Sequence, residues 1–414
     1  MTGALIAGAS TQSRARRPLP PGAVSAVTLG TRGVEEYARF YRADGSAWDT
    51  TLLSWVVGQS GLLWGAGPFP HDIERLTWDY IGCHGSYGHS YENALADALV
   101  ELYAPYMNSN TLGVRFFADG SDACAAAVRV CRAATRRDLI ASYGYHGTGA
   151  EFAHPPQNAG IINAKFLEIQ SLEWNDSLVS ELNLRHYACV FLEVPPVTDR
   201  EAIDYLQLCR HACDQDGIPL VIDDVVLGHR IALGGSAEYY GVKPDLVCLG
   251  KAMSAIGGIS ALIGDRRIVG LLEDRAFYSA TFGGSPSACA VALATLQWLT
   301  EHKGEVYGGC NHPHIFESSS MWERHKADEP AGHLRRIGRA LMDGLNGLGI
   351  QCIGQPERSA LKVPSERFPD EAARRAWCSA MIERGVMCDR PFFPTLAHTL
   401  DDVAKTLDAA RNVL

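Results

Sequence analysis

The chain has 414 residues, 47% hydrophobic and 20% charged, enough for one large core or two to three smaller ones. Its net charge of −10 argues against a general nucleic-acid binder and against a polybasic membrane anchor, both of which need a basic surface. It contains no apolar run of about 18 residues, so a membrane-spanning helix is not expected.

Residues 1–33 read as a poorly ordered tail, with small apolar residues ahead of Arg14, Arg16 and Arg17, the reverse of a secretory signal. Next come a short helix and turn at 34–49, an apolar Gly/Ser-rich stretch at 51–64, and helical spacing at 72–81. Residues 91–103 predict an amphipathic helix, with Leu95, Leu99, Leu102 and Tyr103 on one face. From Val114 short apolar strands alternate with helices. VRFFA precedes an Ala-rich helix at 123–135, and DLIASY and ACVFLEV follow. A helix at 203–216, PLVIDDVV, DLVCLG, ISALIG and a long helix at 285–300 complete the series. That alternation predicts an α/β fold with a mostly parallel central sheet and helices on both faces.

Residues 301–329 hold four histidines, Gly308-Gly309 and Ser318 to Ser320, and read as an inserted loop, drawn here through 332. Cys310, His312 and His314 are spaced two apart, but a loop does not bring ligands to one point, and no metal site is assigned. Residues 333–414, with helices at 334–348 and 401–414 and strands between, predict a smaller α+β domain. The 12 cysteines are scattered, and several sit in apolar runs, such as Cys189 and Cys248. They suit core packing in a reducing cytoplasm better than a disulfide framework.

Three motifs carry chemistry. In FFADGSDACAAA a strand ends, a turn with Gly120 and Ser121 follows, and a helix begins. Free N–H groups at such a start bind anions, though Ser121 or Asp119 could equally be an ordinary cap. In PLVIDDVV two acids end an apolar strand, where ligands of parallel sheets gather. Alternation sends Asp223 and Asp224 to opposite faces, so their roles should differ. In PDLVCLGK, Lys251 follows a buried strand. Only 7 of the 37 basic residues are lysine, and Lys251 alone sits at the end of a buried strand with an acid strand just upstream. A desolvated lysine there can form a Schiff base. A phosphate-cradling helix start, an acid for a protonated pyridine nitrogen and an imine-forming lysine are what pyridoxal 5′-phosphate requires.

The chain resembles the class III, glutamate-1-semialdehyde aminomutase-like aminotransferases of the fold type I pyridoxal-phosphate enzymes, from about residue 46 to the end. The phosphate loop appears as Asp119-Gly120-Ser121-Asp122-Ala123 and the Tyr-His-Gly motif as Tyr145-His146-Gly147. The Asp-Glu-Val…Gly-Phe-Arg motif appears as Asp223-Asp224-Val225…Gly228-His229-Arg230. The Pro-Asp…Gly-Lys motif appears as Pro244-Asp245…Gly250-Lys251, and Thr-Phe-Gly-Gly-Asn-Pro as Thr281 to Pro286. The resemblance implies Lys251 and Asp223 as catalytic residues. It implies Gly120, Ser121, Tyr145, His146 and Thr281 as cofactor contacts, with Thr281 reaching across a homodimer interface. Glu193 and Arg390 become substrate candidates. Residues 34–90 would add to the small domain and the interface, and 91–300 would form the large cofactor-binding domain. Asp224, Leu227 and His229 stand where the family has Glu, Thr and Phe.

The expected function is amino-group transfer or mutation on a small amino or keto compound, in specialised bacterial biosynthesis. The alternative is β- or γ-replacement, carbon–carbon bond formation or racemisation with the same machinery.

Overall fold

The computed structural model describes residues 90–149, 152, 169–174, 179, 183–254, 258–278, 282–301, 330–386, 388, 391–396 and 398–413. The predicted tail, the segment at 34–89 and the loop at 302–329, with Cys310, His312 and His314, lie outside the described residues.

The first described helix, α1 (Ser90–Tyr103), buries Leu95, Leu99 and Tyr103 as its periodicity predicts. There follow β1 (Leu112–Phe117), α2 (Gly120–Thr135), β2 (Leu139–Tyr143), β3 (Ile169–Ser171) and β4 (Tyr187–Glu193). Then come α3 (Asp199–Asp216), β5 (Leu220–Asp223), α4 (Gly235–Tyr240), β6 (Leu246–Leu249) and β7 (Ser260–Asp265). The short helices α5 (Arg266–Val269) and α6 (Leu271–Asp274) lead to α7 (Pro286–Glu301).

The seven strands form one sheet in the order β1-β7-β6-β5-β4-β2-β3. Only β7 runs against its neighbours, β1 and β6, so the sheet is mostly parallel. Alternate residues of the central strands feed two separate cores. Val190, Ile222 and Val247 pack with Leu95, Leu99 and Tyr205, whereas Phe191, Val221 and Cys248 pack with Ala126, Ala127 and Cys131 of α2. A sheet apolar on both faces must be covered on both, which explains why its strands read as continuous hydrophobic runs. Small side chains on α2 let it lie close to the strands. Cys131, Cys189 and Cys248 are buried free thiols in that core, as expected.

Several helices begin earlier than the apolar spacing indicates, because polar caps and not periodicity set their starts. In α3, Thr198 Oγ1 accepts from the Glu201 amide at 3.3 Å while Glu201 Oε2 accepts from the Thr198 amide at 2.9 Å. This reciprocal cap moves the start from 203 to Asp199.

The C-terminal unit contains α8 (Pro330–Gly347), the antiparallel hairpin β8 (Cys352–Gln355) and β9 (Arg358–Leu361), α9 (Glu371–Glu383) and α10 (Leu400–Arg411). It has its own core of Ile337, Leu341, Trp377, Met381 and Phe392. Helix α9 was not anticipated. Its buried residues Trp377, Cys378, Met381 and Ile382 fall on one face, and Asp370 starts it by accepting from the Ala373 amide at 2.8 Å. Among the described residues, no helix is long and apolar enough to cross a membrane.

The turn after β5 is fixed by Asp224. Its carboxylate is fully buried and accepts from the Ser236 amide at 2.7 Å and the Ser236 hydroxyl at 2.6 Å. Gly235 (φ +63°) brings that amide in, and a Cβ there would fall 2.0 Å from Asp224 Oδ2. Burial pushes the Asp224 carboxyl up from 3.8 to about 7, with Ser236 opposing and the neighbouring Asp223 charge adding to the rise. The raised folded value means that stability from this group is full below about pH 4 and is lost as pH rises through about 7. Each pH unit in that window removes up to about 1.4 kcal/mol. Asp224→Asn keeps an oxygen for the Ser236 amide and turns the second bond round, its Nδ2 donating to the Ser236 hydroxyl, without a charge. Its melting temperature relative to wild type is therefore expected to rise between pH 5 and pH 8. A difference that stays constant across that range contradicts this account.

Candidate active site

The carboxyl ends of β4, β5 and β6 lie side by side. Glu193 is in register with Asp223, and Asp223 with Cys248. Lys251 follows two residues beyond the end of β6. The parallel sheet thus gathers two acids and the lysine at one edge, where the crevice of an open α/β sheet forms.

Asp223 points to the α2 side and Asp224 to the opposite one, as alternation predicts. Asp223 Oδ2 lies 2.8 Å from His146 Nδ1 and 3.5 Å from Cys124 Sγ, and Oδ1 accepts from the Val225 amide at 3.0 Å. His146 is buried between Phe152 and Phe191, with ring centroids 4.7 and 4.5 Å away. Packing therefore fixes the imidazole, and the imidazole fixes the carboxylate. The sequence places His146 among the cofactor contacts, whereas the structure sets its Nδ1 against Asp223.

Lys251 opens a single 3-10 turn (Lys251–Met253) with φ +43°, a left-handed backbone that non-glycine residues adopt at a cost of about 1–2 kcal/mol. Its side chain is half-buried. Burial lowers its pKa, Asp223 and Glu193 oppose that shift, and Arg358 and Arg230 add to it. A lysine held this way releases its proton more readily than a solvated one and is a better nucleophile near neutral pH.

At the α2 start Asp119, not Ser121, is the capping side chain, accepting from the Asp122 amide at 3.1 Å. Asp122 Oδ1 accepts from the Tyr278 hydroxyl at 3.1 Å, so both acids near the start are engaged. The amides of Gly120 and Ser121, in the first turn, have no intrahelical acceptor. A Cβ at Gly120 would lie 2.7 Å from Val225, which places the helix start against the turn that follows Asp223. Ser121 Oγ accepts from the Thr148 amide at 3.2 Å, and a Cβ at Gly147 (φ +91°) would lie 2.3 Å from that oxygen. Tyr145 is 69% exposed, so its ring face is open, while its amide donates to Glu193 Oε2 at 2.9 Å.

Glu193 Oε1 pairs with Arg358 Nη1 at 2.8 Å, and the same Nη1 donates to the Val194 carbonyl at 3.1 Å. Gln355 Nε2 donates to the Pro195 carbonyl at 3.0 Å and to the Tyr240 hydroxyl at 3.1 Å. The β8–β9 hairpin is thereby tied to the end of β4. Sequence reasoning did not single out Arg358, because a partner 165 positions away leaves no local signal. Arg230 was noted only as a motif residue, with no role. It is fully buried beside Phe393, its Cζ 5.2 Å from the ring centroid. Thr281 and Arg390 lie outside the described residues. No group of three or more His, Cys, Asp or Glu able to hold a metal occurs among the described residues.

The donor set suits pyridoxal phosphate. Free helix-start amides suit a phosphate, Asp223 is an anionic acceptor for a pyridinium N–H, Lys251 is a readily deprotonated amine, and Tyr145 presents an open aromatic face.

The model of the aminotransferase class-III family matches residues 200–305. The glutamate-1-semialdehyde 2,1-aminomutase of Thermomicrobium roseum is 28% identical over 97% of this chain and 96% of its own. That of Methanoregula boonei is 31% identical over 70% of this chain and 72% of its own. Among solved structures, the FumI protein of Sphingopyxis sp. MTA144 in its PLP form superposes with a TM-score of 0.70 at 23% identity, covering 90% of this chain and 85% of its own. An S-selective transaminase from Arthrobacter sp. superposes at 0.68 with 16% identity, covering 89% and 88%.

Proposed function

The chain belongs to the class-III aminotransferases, a pyridoxal-phosphate-dependent family with the fold type I architecture, and from that premise we propose that Lys251 and Asp223 drive amino-group transfer or mutation on a small amino or keto compound. The observation that carries the assignment is the convergence of Lys251 with Asp223, itself fixed by His146, at adjacent strand ends.

Bound here, the cofactor supplies an aldehyde that captures amines and a pyridinium ring that withdraws electrons from the carbon beside the captured nitrogen. The Gly120 and Ser121 amides, with the Ser121 hydroxyl, bind its phosphate. Tyr145 covers one ring face. Asp223 holds the proton on the ring nitrogen, and His146 holds Asp223 in place. Lys251 Nζ is both the amine that retains the aldehyde carbon and the base that moves the substrate's α-proton.

The test is to load the purified protein with pyridoxal phosphate, add amino donors in deuterated water, and quantify pyridoxamine phosphate together with α-deuterium in recovered donor. Pyridoxamine phosphate is expected to accumulate with at least one donor. Rapid α-exchange with none formed favours the replacement or racemisation alternative.

A cytoplasmic homodimer acting in bacterial biosynthesis is part of the same reading. The reduced, buried thiols support the compartment. Support for the dimer comes from Phe277 and Phe282, 71% and 68% exposed on either side of Thr281, which suit cover by a second subunit. Light scattering that finds a monomer at assay concentration overturns the dimer.

A further inference from the structure

We propose that Arg230 is the anchor for a carboxylate on the substrate, so that this enzyme selects amino or keto acids over neutral amines. The proposal rests on the class-III reading of the site and deepens it.

Arg230 is fully buried, yet among the described residues its Nε and Nη2 have no hydrogen-bond partner, and Nη1 has a long contact of 3.4 Å with the Pro394 carbonyl. Guanidinium groups carry five donors in a planar fork. Burying one without a counter-charge costs several kcal/mol, and a native protein keeps such a group where something else repays the cost. Burial lowers its pKa only to about 9, so it remains charged at neutral pH.

Among the described residues, the carboxylates beside the lysine are already engaged. Asp223 is taken by His146 and the Val225 amide, and Glu193 by the Tyr145 amide and Arg358. Of the two guanidiniums that act on Lys251, Arg358 is therefore neutralised and Arg230 is not. Arg230 lies seven residues past Asp223, in the turn between β5 and α4. From there it meets Phe393 and Pro394 of the C-terminal unit. It thus stands where the two parts of the chain meet, in the turn that follows Asp223. A carboxylate brings two oxygens in one plane, which matches two free N–H groups of one guanidinium. A neutral amine brings no such partner and leaves the buried charge uncompensated.

Glutarate and its neutral diamide, two chains of equal length, serve as probes. Their binding to the pyridoxal-phosphate-loaded protein is measured by calorimetry for wild type, Arg230→Lys and Arg230→Met. Wild type is expected to bind glutarate at least tenfold tighter than the diamide. Arg230→Met should abolish that preference, and Arg230→Lys should retain part of it, since an ammonium keeps the charge and loses the fork. All three should show the same visible absorbance on cofactor uptake. The proposal is overturned if wild type has no preference, or if Arg230→Met keeps it. Should Arg230→Met fail to fold, a preference in Arg230→Lys within twofold of wild type also overturns it. A wild type that takes up no cofactor sinks the class-III reading itself, a result separable from these.

Discussion

Lys251→Ala is expected to reduce turnover by about 10³-fold or more, equivalent to about 4 kcal/mol of lost transition-state stabilisation. Two functions disappear at once: the amine that retains the cofactor aldehyde and the base that moves the α-proton. The phosphate and ring contacts remain, because Gly120, Ser121, Tyr145 and Asp223 belong to other strand ends. The variant should therefore still take up pyridoxal phosphate, as a dialysable ligand without the absorbance of the lysine-bound form. Folding should be preserved, since alanine at φ +43° carries a left-handed penalty similar to that of lysine. Lys251→Gly would relieve the penalty and should melt slightly higher. Added short alkylamines should restore part of the proton transfer in either variant, which separates a missing base from a collapsed site. If Lys251→Ala keeps full turnover together with the lysine-bound absorbance, the assignment is wrong.

The central sheet was legible because its strands are short, fully apolar and separated by helices. ACVFLEV, PLVIDDVV and DLVCLG each supply one of β4, β5 and β6, and their ends bring Glu193, Asp223 and Lys251 together. Local chemistry was legible to the same extent. Gly120 permits the close approach to Val225, and alternation separates Asp223 from Asp224. What depends on pairing between distant segments was not. Arg358 reaches Glu193, and Arg230 reaches Pro394, only because the C-terminal unit folds back against the sheet edge. Helix α9 carries a local signal that the expected strands there pass over: Trp377, Cys378, Met381 and Ile382 recur at helical spacing behind the capping Asp370. The role of His146 was half legible. The Tyr-His-Gly motif marks the residue, but only the fold shows that its ring nitrogen is committed to Asp223.

That commitment gives the second large effect. Asp223→Asn is isosteric and keeps an oxygen for His146, but it removes the anion that stabilises a protonated ring nitrogen. A neutral amide presents a donor or a weak acceptor there, so the ring loses its proton and much of its capacity to withdraw electrons. A fall in kcat of about 10³-fold is expected, within the range of a lost proton-holding group. It should come with weaker cofactor binding, because hydrogen bonds to charged groups are worth about 1.5–3 kcal/mol. His146→Gln should lower kcat less, since the Val225 amide still holds Oδ1. In the double variant the two losses should not add, because His146 acts through the carboxylate that Asp223→Asn has already removed. Strictly additive losses would mean that His146 acts on its own. Asp224→Asn is the internal control. Its side chain faces Ser236 across the sheet from the reacting groups, so kcat should fall far less than in Asp223→Asn. Two adjacent acids with effects so far apart would show that strand alternation, and not proximity in sequence, decides which carboxylate works. If instead Asp223→Asn keeps kcat and Asp224→Asn loses it, the faces have been assigned the wrong way round.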